Sequence, residues 1–401
     1  MRRSKAPAFV LPAPVDVEGM GVNSHEATWL GVPARVRLLD AAKDAGLSTA
    51  APAPGKALIT LSAGSVASGG ALRRFARSCV GLNTDAVGVL ADPLGRFSQM
   101  PALGGPATLI YLHGGGTPDP SRLASARRLT IEAPHRPWKL PVDDPDTQAP
   151  AEIPMSDAVV VNMGHWSGVL WANLLGLAPG LFKHLLGRHP LGMVMGAMRG
   201  LARARSLRPD DLATAASKVS RKARVHPTAV VEASFIGPGA EVGPGAIVRQ
   251  SIVGAGAVVE PQAMLLASVM GPGARVRRRG WIKYGVLMDR AVHGGVAQLA
   301  VLGPDAVVKG MSALMDQRLG GPVRVKRDSG LHPVPLGFLG VGVGARTVVG
   351  SGVWVAAGRT LPPDKWVVRA ADAVLASPDA PSTAVEVLDA PPEASGRTAA
   401  L

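Results

Sequence analysis

The chain has 401 residues and a formal net charge of +14, and 47% of its residues are hydrophobic although only 4% are aromatic. This length allows two or three domains, and the cationic balance favours anionic partners such as phosphorylated ligands, an acidic membrane surface or nucleic acid. The single cysteine, Cys79, excludes a disulfide framework and a cysteine zinc cluster, and no metal site is predicted. Nucleic acid is the weakest of the three partners because base-stacking aromatics are scarce and no known binding motif is present.

Residues 1–164 have an α/β pattern. The N-terminus lacks the apolar run of a signal peptide, so a cytoplasmic location is expected. A helix is predicted over 33–46, where Gly46 supplies a stop signal. Strands that alternate with helices predict a parallel sheet covered by helices. The strand-like runs are at 8–11, 57–64, 85–92, 107–114 and 157–164.

Residues 165–217 are predicted to form a helical linker. Its apolar part, 180–211, is interrupted by Lys183, Arg188, Arg199, Arg203 and Arg205. These charges break the apolar run well short of the 18 or so residues of a transmembrane span. One or two amphipathic connecting helices are therefore expected, and a basic helix lying on a membrane surface is the alternative.

From Lys218 onward the sequence repeats every 17 residues, as in FIGPGAEVGPGAIVRQS (235–251). Each repeat carries three apolar positions, and nearly every one is preceded two residues earlier by alanine, glycine or serine. Small residues near bends let a chain turn tightly, and stacked turns bury what one turn cannot. The three apolar columns are Val219, Ile236, Val253, Met270, Leu287; Val225, Val242, Val259, Val276, His293; and Val231, Val248, Leu265, Ile282, Leu299.

The motifs IGPGAEVGPGAIV and IVGAGAVV resemble those of the bacterial hexapeptide-repeat transferases. The resemblance implies a left-handed parallel β-helix over residues 218–302, resumed over 338–370 after a loop excursion at 303–337. The tail 371–401 is rich in proline, alanine and acidic residues and is predicted to be disordered.

The segments GVPARVRLLDAAKDAGL and HWSGVLWANLLGL resemble parts of sugar-1-phosphate nucleotidyltransferases, as in bifunctional nucleotidyltransferase/acetyltransferases. That family opens with a Gly-rich loop that holds nucleotide phosphates, and it uses a strand-end Asp for Mg²⁺. Here the opening reads FVLPAPVDVEGMG, and the corresponding strand ends SAGSVASGG, without an Asp. We therefore expect residues 1–164 to be a degenerate domain without nucleotidyltransferase activity.

The β-helix resemblance implies acyl transfer from an acyl-CoA such as acetyl-CoA, with histidine as the base, because the pKa of imidazole lies near neutral pH. His293 is a candidate, since it lies where the repeat decays and is followed by two glycines. A buried structural histidine is the alternative, because its column otherwise points inward. His332, in the excursion, is a second candidate, with a solvated loop histidine as the alternative.

Two runs of cations, one in the repeats and one in the excursion, are candidates for binding the phosphates of a sugar phosphate, a sugar nucleotide or coenzyme A. The alternative is charge that serves solubility. By resemblance the protein is a homotrimer with clefts between subunits. A second hypothesis is a non-catalytic scaffold that docks anionic lipid or protein partners. The candidate cations are Arg277, Arg278, Arg279 and Lys283 in the repeats, and Arg324, Lys326 and Arg327 in the excursion.

Overall fold

The computed structural model describes residues 7–139, 152–186, 198, 215–318, 321–327, 330–334 and 336–370. Within these ranges an α/β region precedes a parallel β-solenoid. None of the helices in this part combines the length and apolar character that a membrane crossing needs. The tail predicted at 371–401, and linker residues 187–197 and 199–214, lie outside the described residues.

The N-terminal region is built on a mixed five-stranded sheet. Its strand Leu109–Leu112 runs antiparallel to both neighbours, so the expectation of a wholly parallel sheet is wrong. The helix before it, Leu94–Gln99, has six residues and spans about 9 Å, which is too short to return the chain along a strand of about 16 Å. In spatial order the strands are Ala8–Phe9, Leu58–Leu61, Leu109–Leu112, Ala86–Leu90 and Arg127–Ile131.

Among the described residues, five helices and three short strand pairs complete this region. The predicted helix at 33–46 is observed as Ala34–Asp44. The helices are α1 Ala34–Asp44, α2 Gly69–Ser78, α3 Leu94–Gln99, α4 Pro120–Ala124 and α5 Trp166–Leu186, with a 3₁₀ turn at Pro101–Leu103. The strand pairs are Thr28–Trp29 with Val32–Pro33, Ser65–Ala67 with Val160–Asn162, and Arg136–Lys139 with Glu152–Met155. The resemblance of this region to a nucleotidyltransferase stays a prediction.

The predicted β-helix is confirmed: three parallel sheets run along the coil, and each complete turn contributes one short strand to each sheet, while the last described turn contributes to sheets one and two. Sheet one contains Lys218–Val219, Phe235–Ile236, Ile252–Val253, Val269–Met270, Val286–Leu287, Val301–Leu302, Gly342–Val343 and Thr360–Leu361. Sheet two contains Arg224–Val225, Glu241–Val242, Val258–Val259, Arg275–Val276, Val292–His293, Val307–Val308, Val348–Val349 and Trp366–Val367. Sheet three contains Val230–Glu232, Ile247–Arg249, Met264–Leu266, Trp281–Lys283, Val296–Gln298, Ala313–Leu314 and Trp354–Val355.

The small residues of the repeat have a specific role at the corner between sheets three and one. The Ser234 hydroxyl donates to the carbonyl of Glu232 at 2.7 Å and accepts from the amide of Ser251 at 3.0 Å. Ser251 and Ser268 repeat this arrangement on the next two turns. Since all three serines are buried, this ladder satisfies backbone groups that no water can reach.

One corner of the coil is short. Val276 and His293, which pair between adjacent turns, are 17 positions apart in the sequence. The paired residues His293 and Val308, and likewise Ile282 and Ala297, are only 15 positions apart. The chain therefore omits two residues between His293 and Ala297, and a Cβ on the intervening Gly295 would lie 2.2 Å from the carbonyl oxygen of Ser312. Ala297, not Leu299 as predicted, completes the third inward column.

The solenoid also continues further than expected before its excursion. Val307–Val308 and Ala313–Leu314 pair with the turns on both sides, so the coil extends past the boundary predicted at residue 303. The excursion then contains an antiparallel hairpin, Arg324–Arg327 with Gly330–Pro333. Sheet one resumes at Gly342–Val343.

Helix α5 covers sheet one and joins the two regions into one core. It contacts the strands Phe235–Ile236, Val286–Leu287 and Val301–Leu302. At its start the Trp166 indole N–H donates to the Thr360 hydroxyl at 2.8 Å, so the helix runs from late turns of the coil towards early ones. Sheets two and three have no such cover within the described residues.

A substitution at Gly342 tests the packing of α5 on sheet one, because a Cβ at that position would lie 2.6 Å from the ring of Trp166. We expect Gly342→Ala to lower the free energy of unfolding by about 1–3 kcal/mol, the usual cost of overpacking a core. Urea titration followed by circular dichroism measures this change. Gly114→Ala is the control, since nothing lies within 4 Å of a Cβ there. Equal stability of the two variants would contradict this description of the α5 interface.

Candidate functional site

The three consecutive arginines lie at the corner between sheets two and three, which we call the arginine corner. Arg277, Arg278 and Arg279 are all exposed, and the Arg277 amide donates to the His293 carbonyl at 2.7 Å. The Arg279 side chain donates to the Gln262 side chain at 3.0 Å. The neighbouring Glu260 carboxylate accepts from Arg275 and from the Arg278 amide. Among the described residues, no carboxylate is within ion-pair distance of the Arg277 or Arg278 guanidinium, so both are available to an anionic ligand.

His293 lies in the interior of the coil. Its side chain has no exposed surface, and it is stacked between Val276 and Val308 in the inward column of sheet two. The Nε2–H group donates to the Trp281 carbonyl at 3.0 Å, while Nδ1 has no hydrogen-bond partner. Burial lowers the pKa of His293 to about 4, so the ring is neutral at physiological pH. In this arrangement neither ring nitrogen reaches the arginine corner.

Lys283 is at the opposite end of its strand from the arginines. Its ammonium lies 5.2 Å from the centre of the Tyr284 ring, a cation–π distance. Gln298 pairs with Lys283 in register and donates to the Asp316 carboxylate at 2.8 Å. Burial raises the pKa of Asp316 above its ordinary value. Lys283 thus belongs to the corner between sheets three and one, away from the arginines.

The hairpin of the excursion divides its polar residues between two faces. His332 is opposite Val325 in the register, and strand alternation places Arg327 on the same face. That face turns towards the N-terminal region, because Val325 is buried and Arg327 pairs with Glu18 at 3.2 Å. Arg324 and Lys326 lie on the outer, exposed face.

The two predicted groups of cations are therefore separated within one chain. Val323 and the Arg324 backbone pack against Gly358, at the corner between sheets three and one. The hairpin also contacts the 3₁₀ turn Pro101–Leu103. The arginine corner lies between sheets two and three, so the single phosphate-binding wall expected from the sequence is not assembled by one copy alone.

Sequence reasoning missed a cavity of about 900 Å³ between α1, α2 and α5. Its lining includes Arg37, Lys43, Arg73 and Lys183 together with Asp44 and Asp157. The run Ser68-Gly69-Gly70 at the start of α2 is the signal that could have indicated it, because Ser68 caps that helix. Asp157 already lies at the start of α2, where its carbonyl accepts from the Ser68 hydroxyl at 2.5 Å. No group of histidines, cysteines and carboxylates able to hold a metal occurs in the described ranges.

No protein-family model matches the chain, and no curated protein matches it. Among solved structures, a candidate acetyltransferase from Bacillus cereus matches with 14% identity and a TM-score of 0.24 over 37% of this chain and 71% of that one. PerB from Caulobacter crescentus, in complex with CoA and GDP-perosamine, matches with 20% identity and a TM-score of 0.18 over 38% of this chain and 54% of that one. A hexapeptide transferase family protein from Anaplasma phagocytophilum matches with 13% identity and a TM-score of 0.21 over 38% and 74%. Similarity at this level assigns no activity to the chain.

The buried position of His293 predicts a pH effect on stability. Its folded pKa of about 4 lies below the ordinary 6.5, so only the unfolded state gains a proton as the pH falls between these values, and stability is lost. We expect His293→Val, which continues the valine column, to remove about 2 kcal/mol of the stability loss between pH 7.5 and pH 5. Urea titrations at both pH values measure it.

His165 retains part of the acid sensitivity in this variant, because burial lowers its pKa to about 3. The exposed His226→Gln is the control and should not reproduce the gain at pH 5, because it leaves the buried His293 ring in place. If His293→Val were as acid-sensitive as the wild type, His293 would titrate in a solvated environment.

Proposed function

We propose that the protein is an acyltransferase that moves an acyl group, such as acetyl, from coenzyme A to the amino or hydroxyl group of a phosphorylated or nucleotide-linked amino sugar. The observation that carries this proposal is the exposed arginine corner on a β-solenoid of hexapeptide type. Arg277 and Arg278 have no competing carboxylate partner among the described residues. Guanidinium groups bind phosphate through paired hydrogen bonds, and both coenzyme A and a sugar nucleotide carry phosphates.

The chemical step needs a base that can reach the acceptor. The imidazole takes a proton from the attacking amine or hydroxyl as that group adds to the thioester carbon, and the tetrahedral intermediate then expels the thiolate of coenzyme A. His332 is the better candidate, because it lies half-buried on a hairpin at the surface of the coil. His293 has no exposed surface and makes its hydrogen bond to a backbone carbonyl.

Self-association would bring the separated parts of the site together. In each strand of sheet three the first outward position is apolar, and these residues form an unbroken column, although outward positions of a solvated sheet are normally polar. Val296 is 51% exposed and Trp354 is 73% exposed, so this column lacks cover in one copy. A homotrimer would bury it and place the arginine corner of one copy beside a neighbour. The column is Val230, Ile247, Met264, Trp281, Val296, Ala313 and Trp354.

The activity is tested with acetyl-CoA and a panel of acceptors that includes glucosamine 1-phosphate and nucleotide-linked amino sugars, with release of the free thiol as the readout. We expect His332→Ala to lower kcat by about 10²–10⁴-fold, the usual contribution of a general base. His293→Val should keep kcat within a few-fold of the wild type. Replacing Arg277 and Arg278 by Gln should raise KM with little change in kcat, because these groups bind phosphate in ground and transition states alike.

Two outcomes of these assays would contradict the assignments above. Loss of kcat in His293→Val with normal turnover in His332→Ala would show that His293, and not His332, is the base. No thiol release with any acceptor, together with no binding of acetyl-CoA in calorimetry, would overturn the proposal of acyl transfer.

Association is tested separately by Val296→Lys, which places a charge in the apolar column of sheet three. We expect the wild type to sediment as a trimer and the variant to sediment as a monomer, because a buried unpaired charge opposes association. Val36→Lys, on the exposed side of α1, is the control. A wild type that sediments as a monomer at micromolar concentration would contradict the proposed assembly.

A non-catalytic scaffold is the second candidate function, and the buried state of His293 favours it. The residue that most resembles a catalytic base in the repeat serves the core of the coil. In that case the arginine corner would dock anionic lipid or protein partners. This function would be supported over acyl transfer if the protein showed no turnover and bound anionic vesicles, and if replacing Arg277 and Arg278 by Gln removed that binding.

A further inference from the structure

A second cavity, of about 540 Å³, lies between α5, the strand pair Arg136–Lys139/Glu152–Met155 and the solenoid. We call it the α5 groove. One wall is a helical row that faces the coil, and the other is a ladder of corner residues that follow sheet three on successive turns. The helical row is Leu174, Leu177, Leu181 and Leu185, and the corner ladder is Ala233, Gln250, Ala267 and Tyr284.

The corner ladder makes a straight wall. Its four residues recur every 17 positions and share a left-handed backbone, with φ between 43° and 55°. Adjacent turns of a parallel coil are about 4.8 Å apart, so four corners span roughly 14 Å. The residues along this line alternate between small and large, and Ala267 leaves space between Gln250 and Tyr284.

The helical row runs beside that wall. Because α5 crosses sheet one from late turns to early turns, its axis follows the coil axis. Leu174 and Leu185 are eleven positions apart, which corresponds to about 16 Å of helix. Two largely apolar walls of nearly equal length therefore enclose a long, narrow groove, a shape that suits a linear ligand better than a compact ring.

The lining of the α5 groove contains few polar groups. Arg136 is exposed at the rim, and Trp138 packs edge-to-face on Tyr284 with ring centres 5.8 Å apart, which forms the wall at that end. Gln250, which is exposed, contributes an amide to the corner ladder. An apolar interior with a cation at the rim matches a hydrocarbon chain that ends in an anionic group.

We propose that the α5 groove binds a linear alkyl chain of about eleven or twelve carbons with an anionic head near Arg136. A zigzag of C–C bonds of about 1.5 Å advances roughly 1.3 Å per carbon, so such a chain matches the 14 Å wall. A free fatty acid, a fatty acyl thioester and a membrane lipid share this chemistry. The groove is separate from the arginine corner, so this proposal does not depend on acyl transfer.

Calorimetry with the full-length protein and fatty acids of 8, 10, 12 and 16 carbons tests the proposal. We expect affinity to rise by up to about 4-fold for each added CH₂, the gain for burying one methylene group, and to level off beyond about 12 carbons. Dodecanoyl-CoA and phosphatidylglycerol vesicles are the further arms. The tightest of the three probes identifies the source of the chain.

Ala267→Tyr fills the middle of the α5 groove. The next turn already has a tyrosine, Tyr284, at the equivalent corner position. We expect dodecanoate affinity to fall at least 10-fold in this variant. Met311→Tyr, at an exposed corner with φ 62°, is the matched control and should bind as the wild type does. If Ala267→Tyr does not fold, Ala233→Tyr obstructs the groove at another turn.

Quenching of tryptophan fluorescence by brominated dodecanoate locates the chain. We expect saturable quenching in the wild type that is largely lost in Trp138→Phe, which keeps the ring contact with Tyr284 while removing the indole. Affinity that is independent of chain length, or equal binding by the wild type and a folded groove-filling variant, would overturn the proposal.

Discussion

Each turn of the solenoid can bury its inward side chains only if another turn lies upon it, and the rest of the structure depends on this constraint. Stacking demands that equivalent residues recur at a fixed spacing, because parallel strands pair residue by residue. The serine ladder adds a polar requirement to the apolar one. Ser234, Ser251 and Ser268 satisfy buried amides and carbonyls at a corner where the backbone cannot pair with itself.

The same constraint explains why the N-terminal region cannot be considered alone. A solenoid has three outer faces, and here α5 covers one of them and merges the core of the α/β region with sheet one. Gly342 makes room for Trp166, and the indole N–H bonds to Thr360 on the following turn. The uncovered faces are then the ones available for contacts between copies, and the edge of the covered face becomes the α5 groove.

The candidate site shows where sequence reasoning reached its limit. The valines at 259 and 276 place His293 in an inward column, but only the structure shows that the ring is fully buried, bonded to the Trp281 carbonyl and lowered in pKa. Strand alternation in the hairpin separates Arg327 from Arg324, and Arg327 pairs with Glu18, more than three hundred positions earlier. No local pattern could predict that partner.

The sequence by itself determined the solenoid, its inward columns and the position of the first long helix, because these depend on periodicity and local propensity. It did not determine the direction of the strand Leu109–Leu112, the extension of the coil past residue 303, or the docking of α5. Those features depend on contacts between distant residues, which leave no period in the chain. The three consecutive arginines of the arginine corner are visible in the sequence. Their separation from the hairpin cations depends on the tertiary structure, which places the two groups at different corners of the coil.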